Sequence, residues 1–322
     1  MSGWRGRARR WWPLLVLVPA ALLRLHLWLG CEPLVVGRSS TYLQPAQELL
    51  RGSCSGAETF RRTPGYPVFL AAVTGLGGGM RAVTLAQHAL GLASAWAVMR
   101  AALLLWGSVP AAAAAGVLLA FHPGFLFYES AVESELLGAF LLCLSMLFAA
   151  RAMKSAGRGA LRDAAAAGLI GGAAALTRPE LAAWLAAAPA LLLSGAGGRA
   201  RALRFAAPFA ALIVLWMCRN LLMFGSFTLS PMGAVTSLQT SGPLIDWASP
   251  AHAEFKREYA AALAANGGDH ANVVNEAVMR LNMGPARMPL ERALAEAAAL
   301  GRETALAHPL AYLKASGRNF AG

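Results

Sequence analysis

A chain of 322 residues that is 57% hydrophobic and only 14% charged exceeds the ~45–50% apolar content usual for soluble proteins, which excludes a disordered chain and an ordinary soluble enzyme. Its 28 Lys and Arg against 16 Asp and Glu leave a net charge of +12, consistent with nucleic-acid binding, attraction to a membrane surface, or membrane topology. Four cysteines, Cys31, Cys54, Cys143 and Cys218, are too few for a disulfide scaffold and match no zinc-ligand spacing.

In chain order, the predicted elements are apolar helices. A run near ~20 residues can span a bilayer as a helix, because only a helix satisfies its own backbone groups in hydrocarbon. Seven runs qualify, at roughly 11–29, 81–106, 109–128, 134–153, 163–178, 180–195 and 203–223. The fifth and sixth are short and crowded with small residues, which suits close packing inside a bundle. The run after Pro64, PGYPVFLAAVTGL, is bounded by Gly77, Gly78 and Gly79 and is too short to span, so it reads as an interfacial or re-entrant helix. The expected fold class is all-α: a polytopic bundle of about seven spans with an extracytoplasmic first loop that carries juxtamembrane helices. The expected organisation is a basic N-terminus (1–10), a first span (11–29), the loop (30–80), the remaining bundle (81–223) and a helical extracytoplasmic tail (224–322).

Basic residues favour the cytoplasmic side of a span. With the N-terminus inside, Arg5, Arg7, Arg9, Arg10, Arg151, Lys154, Arg158, Arg162, Arg199, Arg201 and Arg204 are cytoplasmic against a single acid, Asp163. The outer segments then hold the other 15 acids. This sorting assigns the positive charge to topology and leaves no need for a nucleic-acid partner. The basic start and first apolar run also resemble a signal peptide. No clear small-residue cleavage site follows, and Arg24 and His26 are placed to snorkel outward, so a retained first helix is expected. The tail from about 246 carries eight basic and eight acidic residues and reads as a neutral, solvated segment. It ends at Gly322 with no further span, which suggests a C-terminal truncation.

Four pieces contain candidate chemistry. In the first loop, Arg61 and Arg62 beside a proline-stiffened turn suit either a surface cap or the binding of a lipid-linked phosphate. In HPGFLFYESAVESELLGAF, carboxylates Glu129, Glu133 and Glu135 stand at the mouth of a span, where charge is costly and often functional. Glu135 follows Ser134 at a helix start, so it is either favourably placed at an N-terminus or a general base. Glu129 and Glu133 would lie one helical turn apart and could be solvated. In ALTRPEL, Arg178 and Glu180 share a tight turn in which the arginine either pairs with a glutamate or binds phosphate. In WMCRNLLMFGSF, Arg219 and Asn220 read as snorkelling anchors.

With YLQPAQELLRG and RRTPGYPVFLA from the first loop, then FHPGFLFYESAVESELL, GAAALTRPE and WMCRNLLMFGSF, the chain resembles the polytopic GT-C-type glycosyltransferases. That group contains the protein mannosyltransferases and the aminoarabinose transferases of lipid A. The resemblance implies an enzyme of the inner (cytoplasmic) membrane that takes a sugar from a polyprenyl-phosphate donor at the outer face and passes it to a lipid, glycan or protein acceptor. Membrane lipids would be its other partners. It implies no certain cofactor and leaves room for a divalent cation. The family's catalytic aspartate is expected in the first loop, where this chain has Gly37, Arg38, Ser39 and Ser40. The resemblance therefore implies either that Glu135 or Glu48 is catalytic or that the chain is an inactive relative that binds a polyprenyl lipid or a membrane partner. Arg61, Arg62 and Arg178 would hold the donor phosphate, and Tyr42, Tyr66, Glu129 and Glu133 would line the substrate cavity. Cys31 and Cys54 would both be on the oxidising side, where a disulfide between them could brace the loop. A transporter is the remaining class, although its charges would be expected at midplane on broken helices.

Overall fold

The computed structural model describes residues 2–53, 56, 58–194, 197–268, 270 and 273–321, with the backbone alone at 2–10, 234 and 318–321. Cys54, and with it the expected disulfide, lies outside the described residues; so do the side chains of Arg5, Arg7, Arg9 and Arg10. The described residues are overwhelmingly helical, and the one extended pairing among them is an isolated bridge between Leu34 and Ala131.

The helices run α1 (Ser2–Gly30), α2 (Ser40–Leu50), α3 (Glu58–Arg61), α4 (Gly65–Gly75), α5 (Met80–Trp106), α6 (Val109–Ala120), α7 (Pro123–Ser130) and α8 (Glu135–Lys154). They continue with α9 (Gly157–Ala175), α10 (Trp184–Leu192), α11 (Gly198–Phe224), α12 (Met232–Ser241), α13 (Ala253–Ala265), α14 (Val273–Met283), α15 (Leu290–Ala307) and α16 (Pro309–Ala321). Four segments are long and apolar enough to cross a membrane: Trp11–Gly30 within α1, and α5, α8 and α11. The bent pair α6 and α7 makes a fifth if the two count together. The protein is therefore a helical membrane protein.

The expected unbroken span at 109–128 is two helices that meet at 47°. The physical cause is the His122-Pro123 step, since a residue before proline is pushed out of the helical region. His122 is extended and uses its ring to accept a hydrogen bond from the Gly124 N–H, capping the second helix. The run at 163–178 overlaps α9, which starts earlier, carries Arg158, Arg162 and Asp163 in its first turns, and ends at Ala175. The run at 180–195 becomes a 3-10 turn (Pro179–Ala183) followed by the short α10. The segment after Pro64 is indeed a short helix, α4, of 11 residues.

The chain divides into two compact units, one of residues 1–54 and 63–216, the other of residues 55–62 and 217–322. In the first, α5, α6, α8 and α9 pack side by side. Small residues let the helices approach: a Cβ on Gly168 of α9 would lie 2.0 Å from the Phe205 carbonyl oxygen of α11. This backbone contact is the kind that stabilises helix pairs where lipid gives no hydrophobic drive. The first helix packs Val16 and Ala20 against Ala95, Met99 and Ala120.

The second unit contains the helical tail and has a core of its own. Helix α14 buries Val273, Val274, Ala277, Val278 and Leu281, one face at helical spacing. These join Val235, Leu238, Phe255, Tyr259, Leu294 and Leu300 in a core that also takes Phe60 from the first loop. Composition showed neutral charge, but the core depends on the phase of the apolar residues along each helix.

Candidate functional site

Three separated stretches of the first unit converge around Glu133 and Glu135. The first is the loop after α1, which backbone hydrogen bonds fasten to the end of α7: Leu34 N–H donates to the Ser130 carbonyl at 2.9 Å, and Val132 N–H to the Leu34 carbonyl at 2.9 Å. The second is the turn 131–134 that leads into α8. The third is the turn after α9, which Thr63 and Gly65 hold through hydrogen bonds to the Thr177 and Leu176 carbonyls, at 3.1 and 2.8 Å.

Glu135 is the first residue of α8, as the Ser-Glu pattern predicts, and it forms an ion pair with Arg178. Arg178 also grips Glu180, its Nε donating at 2.6 Å. Burial disfavours the Arg178 charge, but the bonds and charges of Glu135 and Glu180 outweigh that and raise its pKa. Neighbouring Glu133 faces Arg38, with Nε to Oε1 at 3.6 Å. The Glu133 carboxyl is pushed above the usual carboxylate range, first by burial and then by the adjacent Glu135 charge and a hydrogen bond to it, against the pull of Arg38 and Arg178. Each glutamate has one buried oxygen that lacks a donor, Oε1 of Glu133 and Oε2 of Glu135. The hydrogen bond between the two carboxyl groups favours the protonated form of Glu133. A carboxyl group pushed toward its neutral form, beside a second carboxyl group paired with an arginine, is a usual starting point for acid–base chemistry.

Behind them stands an aromatic wall. Tyr42 Oη and Ser134 Oγ are 3.1 Å apart, and Tyr42 packs edge-on against Tyr66, with centroids 5.2 Å apart. The Tyr66 hydroxyl is fully buried, donates to Gln87 Oε1 at 2.7 Å, and is held far from ionisation by burial and by the neighbouring Tyr42, Glu135 and Glu133. On the other side, Glu135 borders a cavity of about 270 Å³ lined also by His122, Gly124, Phe125, Tyr128, Leu136 and Ala139. An apolar cavity with a carboxylate at its edge suits an amphipathic ligand with its polar end at Glu135.

Glu129 is placed differently from the expectation of a solvated or cavity-lining carboxylate. It is fully buried at the end of α7, with Oε1 accepting from Arg24 Nη2 at 2.6 Å and Oε2 2.8 Å from His88 Nδ1. Arg24, expected to snorkel outward, points inward and is only 2% exposed, with Nη1 also donating to the Ala20 and Ala120 carbonyls. A charge in hydrocarbon is cheapest when paired, and the bend before α7 brings Glu129 within reach. Gly91 leaves room for this: a Cβ there would lie 1.9 Å from Glu129 Oε1. Gln87 finishes the arrangement, its amide donating to the Tyr128, Glu129 and Ala131 carbonyls at 3.3, 3.1 and 2.8 Å. Neither Gln87 nor His88 is conspicuous in the sequence. The available signal was Arg24 inside one apolar run and Glu129 at the very end of another, opposite charges that lipid would force together.

The other expected residues lie elsewhere. Glu48 sits in α2 with Oε2 buried and no partner, and no hydrogen bond or ion pair joins it to Glu133 or Glu135. Arg61 and Arg62 belong to the second unit, where Arg61 pairs with Glu58 at 3.6 Å. Arg219 is no snorkelling anchor. It donates to Thr59 Oγ1 at 2.7 Å, to the Thr59 carbonyl and to Asn220 Oδ1, and lies over the Phe224 ring at 4.9 Å. Asn220 is buried and donates to the Thr228 carbonyl. No group of three or more His, Cys, Asp or Glu side chains fit to hold a metal ion occurs among the described residues.

The fold and site define a helical membrane protein with a paired-carboxylate site beside an apolar cavity. No family model matches the chain, and no curated protein matches it.

Proposed function

We propose that the chain is a membrane glycosyltransferase that moves a sugar from a polyprenyl-phosphate donor to a lipid, glycan or protein acceptor at the outer face of the cytoplasmic membrane. In this reading the N-terminus is cytoplasmic and about seven segments cross or enter the bilayer, the two beyond the five apolar spans being α9 and the 179–192 stretch. The observation that carries it is the Glu133–Glu135 pair, set against Arg178 and bordering an apolar cavity. Glu135, the partner paired with Arg178, takes the proton from an acceptor hydroxyl. The hydroxyl oxygen bonds to the anomeric carbon, the bond from that carbon to the phosphate oxygen breaks, and polyprenyl phosphate leaves. Arg178 is the charge placed to stabilise the developing phosphate anion.

The test is turnover of radiolabelled polyprenyl-phosphate sugars by the purified chain in lipid nanodiscs, with a panel of hexose and pentose donors. Release of polyprenyl phosphate by the wild type, with a loss of about a hundredfold or more in Glu135→Gln, is expected. Unchanged turnover in Glu135→Gln would overturn the site assignment, and no donor consumed or bound would overturn the function. A second reading is a non-catalytic relative that binds a polyprenyl lipid or a membrane partner. What favours it is Arg38, a cation facing Glu133 in the stretch where an aspartate is expected. Donor binding without transfer supports this alternative.

A further inference from the structure

The second unit contains an ionisable group with no part in the chemistry above. His252 precedes α13 in the left-handed backbone region, at φ 56°, which few side chains occupy without a local reason. Its ring is 14% exposed, and both nitrogens meet carboxylates: Nδ1 is 2.6 Å from Glu296 Oε2 and Nε2 is 3.2 Å from Glu303 Oε2. Glu296 and Glu303 lie two turns apart on one face of α15, so the imidazole spans that face. An ionised carboxylate only accepts, so both bonds require a proton on both ring nitrogens. Neutral imidazole has one lone pair and would turn it on a carboxylate.

The surroundings leave the ring this role. On α13, Glu254 is exposed, and Lys256 is turned away, its Nζ bonded to the Asp246 and Ser249 carbonyls at 2.7 and 3.0 Å. Asp246, in the preceding loop, accepts from the Ala248 N–H. On α15, Arg292 is exposed. His252 and Glu296 also form part of the wall of a cavity of about 190 Å³, with Glu254, Phe255, Met288 and Arg292.

We propose that His252 is a proton-operated latch: as imidazolium it pins the loop before α13 to Glu296 and Glu303 of α15 and closes that side of the cavity, and on losing its proton it releases the loop. Burial alone would lower the His252 pKa, but its hydrogen bonds to Glu296 and Glu303 and their charges outweigh burial and hold it above the ordinary 6.5. The latch therefore contributes fully below that ordinary value, and its contribution is lost as pH rises through the raised value in the folded protein. The left-handed conformation acts in the same direction, since release allows the backbone to relax.

Hydrogen exchange of the full-length chain in nanodiscs, corrected for intrinsic rates and followed from pH 5 to pH 9, tests this. Amides of residues 246–256 are expected to open roughly threefold more readily once His252 is neutral, with no such step in α5 or α8. His252→Asn tolerates the left-handed backbone but cannot become charged, and it is expected to show the high-pH opening throughout. Glu296→Gln with Glu303→Gln should do the same. A pH-independent wild-type profile in this segment, or a step that persists in His252→Asn, overturns the proposal. A direct ring titration by NMR at or below 6.5 would also overturn it.

Discussion

Glu129→Gln tests whether the first unit is held by a buried charge pair or merely tolerates it. The substitution keeps the size of the side chain and one acceptor oxygen for Arg24, but removes the negative charge paired with a guanidinium that is 2% exposed. Removing one partner of such a pair costs about 3–5 kcal/mol, because the remaining charge stays buried and uncompensated. The first unit has about 200 residues, a size at which each kcal/mol moves the unfolding midpoint by about 2–4 °C, so the drop is roughly 6–20 °C. Tryptophan fluorescence during heating in nanodiscs reads it. The triple change Arg24→Met, His88→Leu and Glu129→Leu removes the charges together with the desolvation they require, and should recover most of the loss. A midpoint within about 3 °C of wild type for Glu129→Gln, or a triple variant no more stable than the single one, would refute the reasoning.

Other expectations follow from the same geometry. Gly91→Ala puts a Cβ 1.9 Å from Glu129 Oε1; because Arg24 and His88 fix that carboxylate, it should cost about 1–3 kcal/mol in the same thermal assay, and a neutral outcome would mean Glu129 is free to move. Arg178→Lys keeps a charge but loses the planar fork that grips Glu135 and Glu180, so under the transferase reading turnover should fall about tenfold or more, measured as polyprenyl phosphate released. The raised Glu133 carboxyl adds stability below the ordinary 4.5 that is lost as pH rises through its folded-state value. The midpoint of wild type relative to Glu133→Gln should therefore decline across that window, and parallel pH profiles would show that the proton is not held there.

Much of the helical scaffold was legible because lipid imposes a one-dimensional rule: length and apolarity suffice to mark α1, α5, α8 and α11 as spans. The start of α8 at Glu135 and the short helix after Pro64 were equally local, marked by a Ser-Glu step before the apolar run and by glycines that stop the shorter one, although the Ser134 hydroxyl meets Tyr42 and does not cap α8. The bend at Pro123 has a local cause too, but a span assigned by hydropathy averages across it. At the site, Arg178 and Glu180 were visible as neighbours in a turn, whereas the pairing of Arg178 with Glu135, 43 positions earlier, was only one of several open choices.

By itself the sequence determined that this is a helical membrane protein and how its charges sort along the chain, because burial in hydrocarbon is priced residue by residue. Only the tertiary structure decided which charges meet. It turned Arg24 inward to Glu129 and His88, stood Arg38 opposite Glu133, and set His252 between two carboxylates. Those outcomes depend on the bend at His122, the room left by Gly91 and the relative phase of packed helices, and none of these is carried by the composition or hydropathy of a single segment.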